Sequence, residues 1–464
     1  MLSPSLFKAY DIRGVVDDTL TEEAAFLIGR ALASAAFARG ETTFVVGRDG
    51  RLSGPKLEKA LIDGLQKSGA DVIDLGMVTT PMVYFGVATK DIGCGVMVTG
   101  SHNPPEYNGL KMVMSGEALH GDSILEIYQR ILSQDFVDGE GSYEEFDIAS
   151  DYIERIARDI TLAVPLRIAI DCGNGVAGPT ATRLFKRLGC EVVELYCDVD
   201  GSFPNHHPDP ADPNNLRELM RVVQEGASEI GLAFDGDGDR LGVIDKTGRV
   251  IYPDRQLILF SQDMLKRNPG ASVIFDVKCS RTLARAIEDA GGTALMWKTG
   301  HSLIKAKLRE TGAPLAGEMS GHMFFKERWY GFDDGLYAGA RLLEILAREK
   351  SLGRTPSSVL EALPDSETTP ELHVQLKEGE NHDVIDRLQR GAKDLFANAN
   401  AKRIHLVDGV RVDYLDGFGL ARASNTTPVI VLRFEGDDRA ALIRIQEDFR
   451  RVLTQVEPSI KLPY

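Results

Sequence analysis

The chain has 464 residues, 43% of them apolar and 26% charged, with a formal net charge of −16 at pH 7. That is too long for one hydrophobic core and predicts three or four domains of ordinary globular composition. The acidic balance argues against nucleic-acid and acidic-membrane partners, so an anionic substrate would need a local cluster of Arg, Lys and His inside a cleft. Five scattered cysteines (Cys94, Cys172, Cys190, Cys197, Cys279) with no C-x-x-C predict reduced thiols in a cytoplasm, with neither a disulfide framework nor a zinc site. No signal-peptide pattern is visible. The longest apolar stretch, residues 24–38, is broken by Arg30 and reads as an amphipathic helix, not a membrane span.

In chain order, residues 7–14 read as a turn and residues 21–39 as a helix. A pattern of strand, turn, helix, glycine and strand then occurs three times: 43–50 to 69–76, 166–173 to 189–195, and 272–278 to 291–297. Each is a βαβ unit with parallel strands, and their spacing of about one domain length predicts three similar α/β domains. Residues 363–370 read as a linker. Beyond them, short strands near Leu372 and Ile404, a helix over 384–396, a buried strand over 428–434 and a helix over 439–453 predict a separate α+β domain. The second repeat contains Gly173-Asn174-Gly175-Val176-Ala177-Gly178, a literal G-x-G-x-x-G with Glu194 following, which raises a dinucleotide oxidoreductase as a rival. The equivalent turns of the other repeats read Gly47-Arg48-Asp49-Gly50 and Val277-Lys278-Cys279-Ser280, so the G-x-G-x-x-G reads better as a local solution to one turn.

Residues 95–111 run from an apolar segment into Thr99-Gly100-Ser101-His102-Asn103-Pro104-Pro105 and on to Lys111. The prolines stop helix and central strand alike, and Pro104 holds Asn103 extended, so Ser101 sits on a rigid loop at a strand end. With His102 and Lys111 nearby, it fits an activated nucleophile; from this stretch alone, a turn that merely carries a Ser-His pair fits equally well.

Asp235-Gly236-Asp237-Gly238-Asp239-Arg240 follows an apolar strand over 230–234. Three alternating carboxylates with glycines between them suit a hard divalent cation, Mg²⁺ or Ca²⁺. An EF-hand fails on spacing, because Arg240 stands where its glycine is needed and Lys246 where its bidentate Glu is needed. Mg²⁺ usually shares its ligands with phosphate, which points to Ser101 as the carrier of a phosphoryl group with Arg240 beside it.

Gly317-Glu318-Met319-Ser320-Gly321-His322 places a carboxylate and a hydroxyl two residues apart, suited to reading sugar hydroxyls, with His322 available to carry a proton. Arg422-Ala423-Ser424-Asn425-Thr426-Thr427-Pro428 gathers the donors a phosphate dianion wants, and Lys278, Lys298 and His301 add more. Each patch alone could be an ordinary loop. There are four, one from each expected domain.

Thr-Gly-Ser-His-Asn-Pro, Asp-Gly-Asp-Gly-Asp-Arg, Gly-Glu-Met-Ser-Gly-His and Arg-Ala-Ser-Asn-Thr-Thr-Pro, in that order, resemble the α-D-phosphohexomutase superfamily, most of all its bacterial phosphomannomutase/phosphoglucomutase branch. The resemblance runs from Tyr10-Asp11-Ile12-Arg13-Gly14 to the last helix. It implies four domains around a central cleft, placed at 1–147, 148–248, 249–363 and 364–464. It makes Ser101 a phosphoserine that, with Asp235, Asp237 and Asp239, holds Mg²⁺. Arg13, His102, Lys111 and His322 would assist proton and phosphoryl transfer. Glu318 and Ser320, helped by Lys278 and His301, would hold sugar hydroxyls, and Arg240 would also contact substrate. Tyr10, Arg422, Ser424, Asn425 and Thr426 would grip the phosphate that is not transferred.

The implied reaction converts mannose or glucose 6-phosphate to the 1-phosphates through a hexose 1,6-bisphosphate, with glucose or mannose 1,6-bisphosphate as activator. Its products would feed nucleotide-sugar and polysaccharide synthesis. A phosphoglucosamine mutase and a Mg²⁺-dependent sugar phosphatase are the alternatives. Hexose phosphates are the expected partners, a cytoplasmic monomer the expected form, and closure of the last domain over substrate the expected motion.

Overall fold

The computed structural model describes residues 2–464 apart from 378, 398 and 426. Its strands form sheets of seven, four, four and six strands. The first three share one plan, and it places the site. In each, two parallel strands flank a crossover helix: Thr43–Arg48 with Asp71–Met77, Arg167–Asp171 with Glu191–Leu195, and Ser272–Asp276 with Thr293–Trp297. The first strand of each pair then takes a second parallel neighbour, Cys94–Val98, Ile230–Phe234 or Leu315–Gly317. That neighbour turns back as an antiparallel hairpin with Tyr107–Met114, Leu241–Asp245 or Met323–Phe325. The βαβ units are thus as expected. The returning hairpin strand is an addition, and its turn is where each domain carries its polar motif.

Local physics accounts for the elements. The helix Glu22–Phe37 starts at Thr21, whose side chain accepts from Ala24 N, and carries Glu22 and Glu23 in its first turn, where the helix dipole favours them. The central strands Cys94–Val98 and Ile230–Phe234 are buried throughout, as strands covered on both faces require.

Two expectations are corrected. Residues 7–14 are not merely a turn: Ile12–Val15 is an edge strand paired antiparallel with Tyr107–Met114, with Arg13 opposite Gly109. Ile12 is fully buried, and only strand pairing lets it reach the core while Arg13 faces the cleft. Within the expected linker, Glu367–Thr368 pair with Glu435 and Gly436 and extend the last sheet.

The G-x-G-x-x-G glycines have a packing role. A Cβ on Gly175 would lie 3.0 Å from the Gly236 backbone, and one on Gly178 only 1.9 Å from Cys197 O. The turn is pressed against the acidic loop and the Cys197 backbone, so these glycines serve close packing.

One apolar cluster runs through the first three domains, joining residues as distant as Val83, Phe234 and Phe325. The last domain has its own core around Leu388, Phe434 and Phe449. A small cluster of Val277 with Phe418 and Leu420 joins it to the third.

Candidate active site

The three hairpin turns and the loop at Ser424 converge on one cleft of about 1000 Å³. Ser101 lies in the first turn with φ +49°, a left-handed conformation that costs a non-glycine residue energy and persists only when its surroundings enforce it. Arg51 enforces it. Nη1 donates to Pro104 O (2.6 Å) and Tyr107 O (2.9 Å), and Nη2 donates to Ser101 O (2.8 Å) and Asn103 O (2.6 Å). Asp49 completes the clamp, accepting from Arg51 Nε (3.2 Å), Thr99 Oγ1 (2.7 Å) and Gly100 N (3.2 Å). The Phe203 ring of the second domain lies over the guanidinium at 5.2 Å. The Ser101 hydroxyl is left aimed at two partners, His102 Nδ1 and Asp235 Oδ2, both at 3.1 Å.

The acidic loop meets it directly. Only glycine fits at 236, because a Cβ there would stand 2.3 Å from Ser101 O. Asp235, Asp237 and Asp239 are fully buried and bring carboxylate oxygens within 4.8 Å of one another. Asp235 Oδ1 accepts from the Asp239 and Arg240 amides, both at 3.1 Å. Lys111 Nζ donates to Asp237 Oδ2 (2.7 Å) and Asp239 Oδ2 (2.5 Å), and Thr80 Oγ1 also donates to Asp237 Oδ2 (2.5 Å). Asp237 Oδ1 is buried and has no partner among the described residues, and Asp239 Oδ1 is buried and faces only His322 Nε2, at 3.3 Å. Burial and the two neighbouring aspartates push Asp235 well up, whereas at Asp239 Lys111 and His322 override burial and hold the carboxyl well down. Three hard oxygen donors, with Asp237 Oδ1 left unpaired among the described residues, fit a divalent cation. Asp239, His322 and Asp333 also lie close enough to ligate a metal, but His322 already faces Asp239 and Glu318, each at 3.3 Å.

The third turn carries Glu318, Ser320 and His322. Glu318 Oε1 accepts from Gly300 N at 2.6 Å, and Ser320 Oγ lies 2.9 Å from His322 Nδ1. Burial opposes charge on His322, but Asp239 outweighs it and lifts the imidazole to about 9. Burial and surrounding cations instead hold His102 and His301 well below the usual range, so both are neutral.

Across the cleft, Arg422 Nε donates to Asp408 Oδ2 (2.9 Å), which also accepts from Thr299 N (3.0 Å). Tyr10 OH donates to Thr299 O (3.0 Å) and accepts from Asn425 Nδ2, so the first, third and last domains meet there. Lys278 Nζ donates to Glu371 Oε1 at 2.7 Å. Arg13 Nη1 donates to Asn103 Oδ1 at 2.5 Å. Arg240 Nε stands 3.8 Å from Asp235 and Nη1 stands 3.9 Å from Asp209.

Tyr10, Arg13, Ser101, His102, Lys111, Arg240, Lys278, His301, Glu318, Ser320, His322, Arg422, Ser424 and Asn425 all line this one cleft. Asp235, Asp237 and Asp239 lie just behind it, and Thr426 falls outside the described residues. The sequence reading missed Asp49, Arg51, Asp408 and Glu371. Asp49 had a signal, since it follows its strand much as Asp171 and Asp276 end theirs in the other repeats.

Fold and cleft define a four-domain α/β enzyme of the phosphohexomutase class. Family models described as phosphoglucomutase/phosphomannomutase domains I, II, III and the C-terminal domain match residues 4–138, 150–248, 252–366 and 371–452. The chain belongs to the phosphoglucomutase/phosphomannomutase family. It is 53% identical over 463 residues to a phosphomannomutase/phosphoglucomutase of Pseudomonas aeruginosa, covering 100% of this chain and 98% of that one. It is 56% identical over 455 residues to a phosphoglucomutase of Neisseria meningitidis, covering 97% of each. A crystal structure of a phosphoglucomutase/phosphomannomutase family protein from Burkholderia thailandensis superposes with a TM-score of 0.95 at 57% identity, covering all of both chains. Among the described residues, no helix is long and apolar enough to cross a membrane.

Proposed function

We propose that the protein interconverts the 6- and 1-phosphates of mannose and glucose in the cytoplasm through a phosphorylated Ser101 and a hexose 1,6-bisphosphate. The observation that carries this reading is the 3.1 Å contact of the Ser101 hydroxyl with Asp235, made by the two loops that a phosphoserine enzyme must bring together.

In the forward step a sugar hydroxyl oxygen forms a bond to the phosphorus on Ser101, the Oγ–P bond breaks, and the hydroxyl proton passes to a base. In the return step the sugar O–P bond at the other end of the bisphosphate breaks as Ser101 Oγ bonds to that phosphorus; the sugar oxygen gains a proton, and Ser101 Oγ surrenders the one it took up on leaving phosphorus in the forward step. His102 is neutral with Nδ1 at 3.1 Å from that oxygen, and is placed to hold this proton. Arg13, Lys111 and Arg240 surround the transferring group with positive charge. His322 enters protonated, because its imidazole is lifted to about 9.

Glu318 and Ser320 read the sugar hydroxyls, with Lys278 and His301 beside them. Tyr10, Arg422, Ser424, Asn425 and Thr426 hold the far phosphate. Asp235, Asp237 and Asp239, with Ser101, would hold Mg²⁺, which supplies charge neutralisation to the phosphoryl group when bound. A subsite that grips either phosphate lets the bisphosphate re-enter reversed, and makes glucose or mannose 1,6-bisphosphate an activator.

Intact mass of the purified protein, with turnover on mannose, glucose and glucosamine phosphates, tests the reading. The expected result is one phosphate that disappears in Ser101→Ala together with interconversion. Steady release of inorganic phosphate would identify a phosphatase, a strong preference for glucosamine phosphate would identify the other mutase, and full activity in Ser101→Ala would end the proposal.

A further inference from the structure

Glu371 stands immediately after Pro370, where the chain enters the last domain, and reaches back across the cleft to Lys278 of the third. Arg422 and Arg433, from adjacent strands of the last sheet, line the same cleft. Burial opposes charge on Glu371, but Lys278 first, then Arg433 and Arg422, hold its carboxyl down at about 2. Arg433 is 4% exposed at a cleft wall, yet its Nε and Nη1 have no partner among the described residues, and Nη2 comes no closer to Asp254 than 3.7 Å. A buried guanidinium with unsatisfied N–H groups, an ammonium and a second guanidinium around one carboxylate form the donor set of an anion site with a side chain seated in it.

Resting on the function proposed above, we infer that Glu371 is a resident counter-ion that competes with the ligand's phosphate for Lys278, Arg433 and Arg422, and that its displacement couples phosphate binding to the position of the last domain. Two physical needs meet here. Without a ligand, Lys278 would otherwise be an unpaired buried ammonium, which is costly. With a ligand, a carboxylate close to a phosphate dianion repels it and caps its affinity. A mutase that must release a monophosphate yet let a bisphosphate turn over gains from such a cap. Because Glu371 sits at the junction, exchanging it for phosphate on Lys278 changes a contact that ties the last domain to the third. Glu371 is a positioning residue, acting through the cations it holds.

Calorimetric titration of the full-length protein with inorganic phosphate, beside steady-state kinetics, tests this. Glu371→Gln should bind phosphate about tenfold more tightly than wild type, with a lower KM and, as release slows, a lower kcat. Unchanged or weaker phosphate binding, or a raised KM, overturns the proposal, since a purely structural carboxylate would loosen the cleft when removed. Should Glu371→Gln fail to fold, a structure of the wild-type protein with phosphate bound decides. The 2.7 Å Lys278–Glu371 contact should be broken with Nζ on the phosphate, and an intact pair beside bound phosphate overturns the inference. Wild-type turnover in the same preparations separates the two ideas: its loss sinks the mutase reading, whereas normal turnover with unaltered phosphate affinity in Glu371→Gln sinks only the counter-ion.

Discussion

The turn that presents Ser101 and the loop that carries Ser424, just past the strand bearing Arg422, face the same cleft and are built in opposite ways. The first is bound from beneath by a fully buried guanidinium that donates to four of its carbonyls and to Asp49. It is also pressed against a second domain through Gly236. In the last-domain loop Asn381 Nδ2 donates to Ser424 O (3.0 Å) and Val429 O (3.3 Å), the Ser424 and Thr427 hydroxyls pair at 3.1 Å, and Asn425 Nδ2 donates to Tyr10 OH of the first domain. Its domain has a separate core and a small apolar contact with the third domain, the kind of interface across which domains move. Phosphoryl transfer needs atoms placed to a fraction of an ångström, whereas a grip that accepts either phosphate of a turning bisphosphate needs compliance. On the mechanism proposed above, the firmly clamped turn is where bonds change and the more lightly tied loop is where they do not.

Damage to the first region should therefore cost rate, and damage to the second should cost affinity. The largest effect expected is metal removal: chelation should abolish turnover and added Mg²⁺ restore it, while inorganic phosphate still binds at the last-domain loop. Equal loss of phosphate binding on chelation would erase the distinction. Next is Arg51→Met. Releasing four carbonyls lets the Ser101 turn relax, and a displacement of about 1 Å costs on the order of 10²-fold in kcat with KM little changed. The variant also strands Asp49 buried without its cation, at about 3–5 kcal/mol of stability. Adding Asp49→Asn should recover stability but leave kcat low; recovery of both would show that Arg51 only balances charge. Ser424→Ala, by contrast, should raise KM about tenfold and leave kcat within about twofold, the mark of binding shared equally by ground and transition states.

The contrast also marks how far sequence could be read. Ser101, the three aspartates and the Glu318–His322 turn were legible because each chemistry needs several residues within six positions of one another. Arg51 and Glu371 were not, because they act through partners about 50 and 90 positions away, and no local pattern separates a buried guanidinium from a solvated one. The repeated βαβ units were visible through their glycines. The returning hairpin strands were not read as part of that repeat: Met323–Phe325 is three residues long, too short to show a period. Likewise Ile12–Val15 has one fully buried apolar anchor, Ile12, and its pairing is set by the strand opposite.

The smallest effect expected is on stability alone, and it divides the first domain from the last. Glu58, 2.8 Å from Arg48 in the first domain, is pushed up to about 8, by burial first and Asp74 second, from an ordinary 4.5. Between those values the unfolded chain has released its proton while the folded one keeps it, so stability declines as pH rises from about 4.5 to 8. Asp413 in the last domain goes the other way. Burial opposes its charge, but Arg411 leads in holding it down at about 2, against an ordinary 3.8. Its contribution is complete above about 3.8 and is lost as pH falls towards 2. Scanning calorimetry at a series of pH values should show Glu58→Gln flattening the decline on the alkaline side and Asp413→Asn flattening the loss on the acid side. A Glu58→Gln profile parallel to wild type from pH 5 to 8 would mean that the first domain's buried carboxyl is ionised after all, and that its salt bridge with Arg48 outweighs the burial.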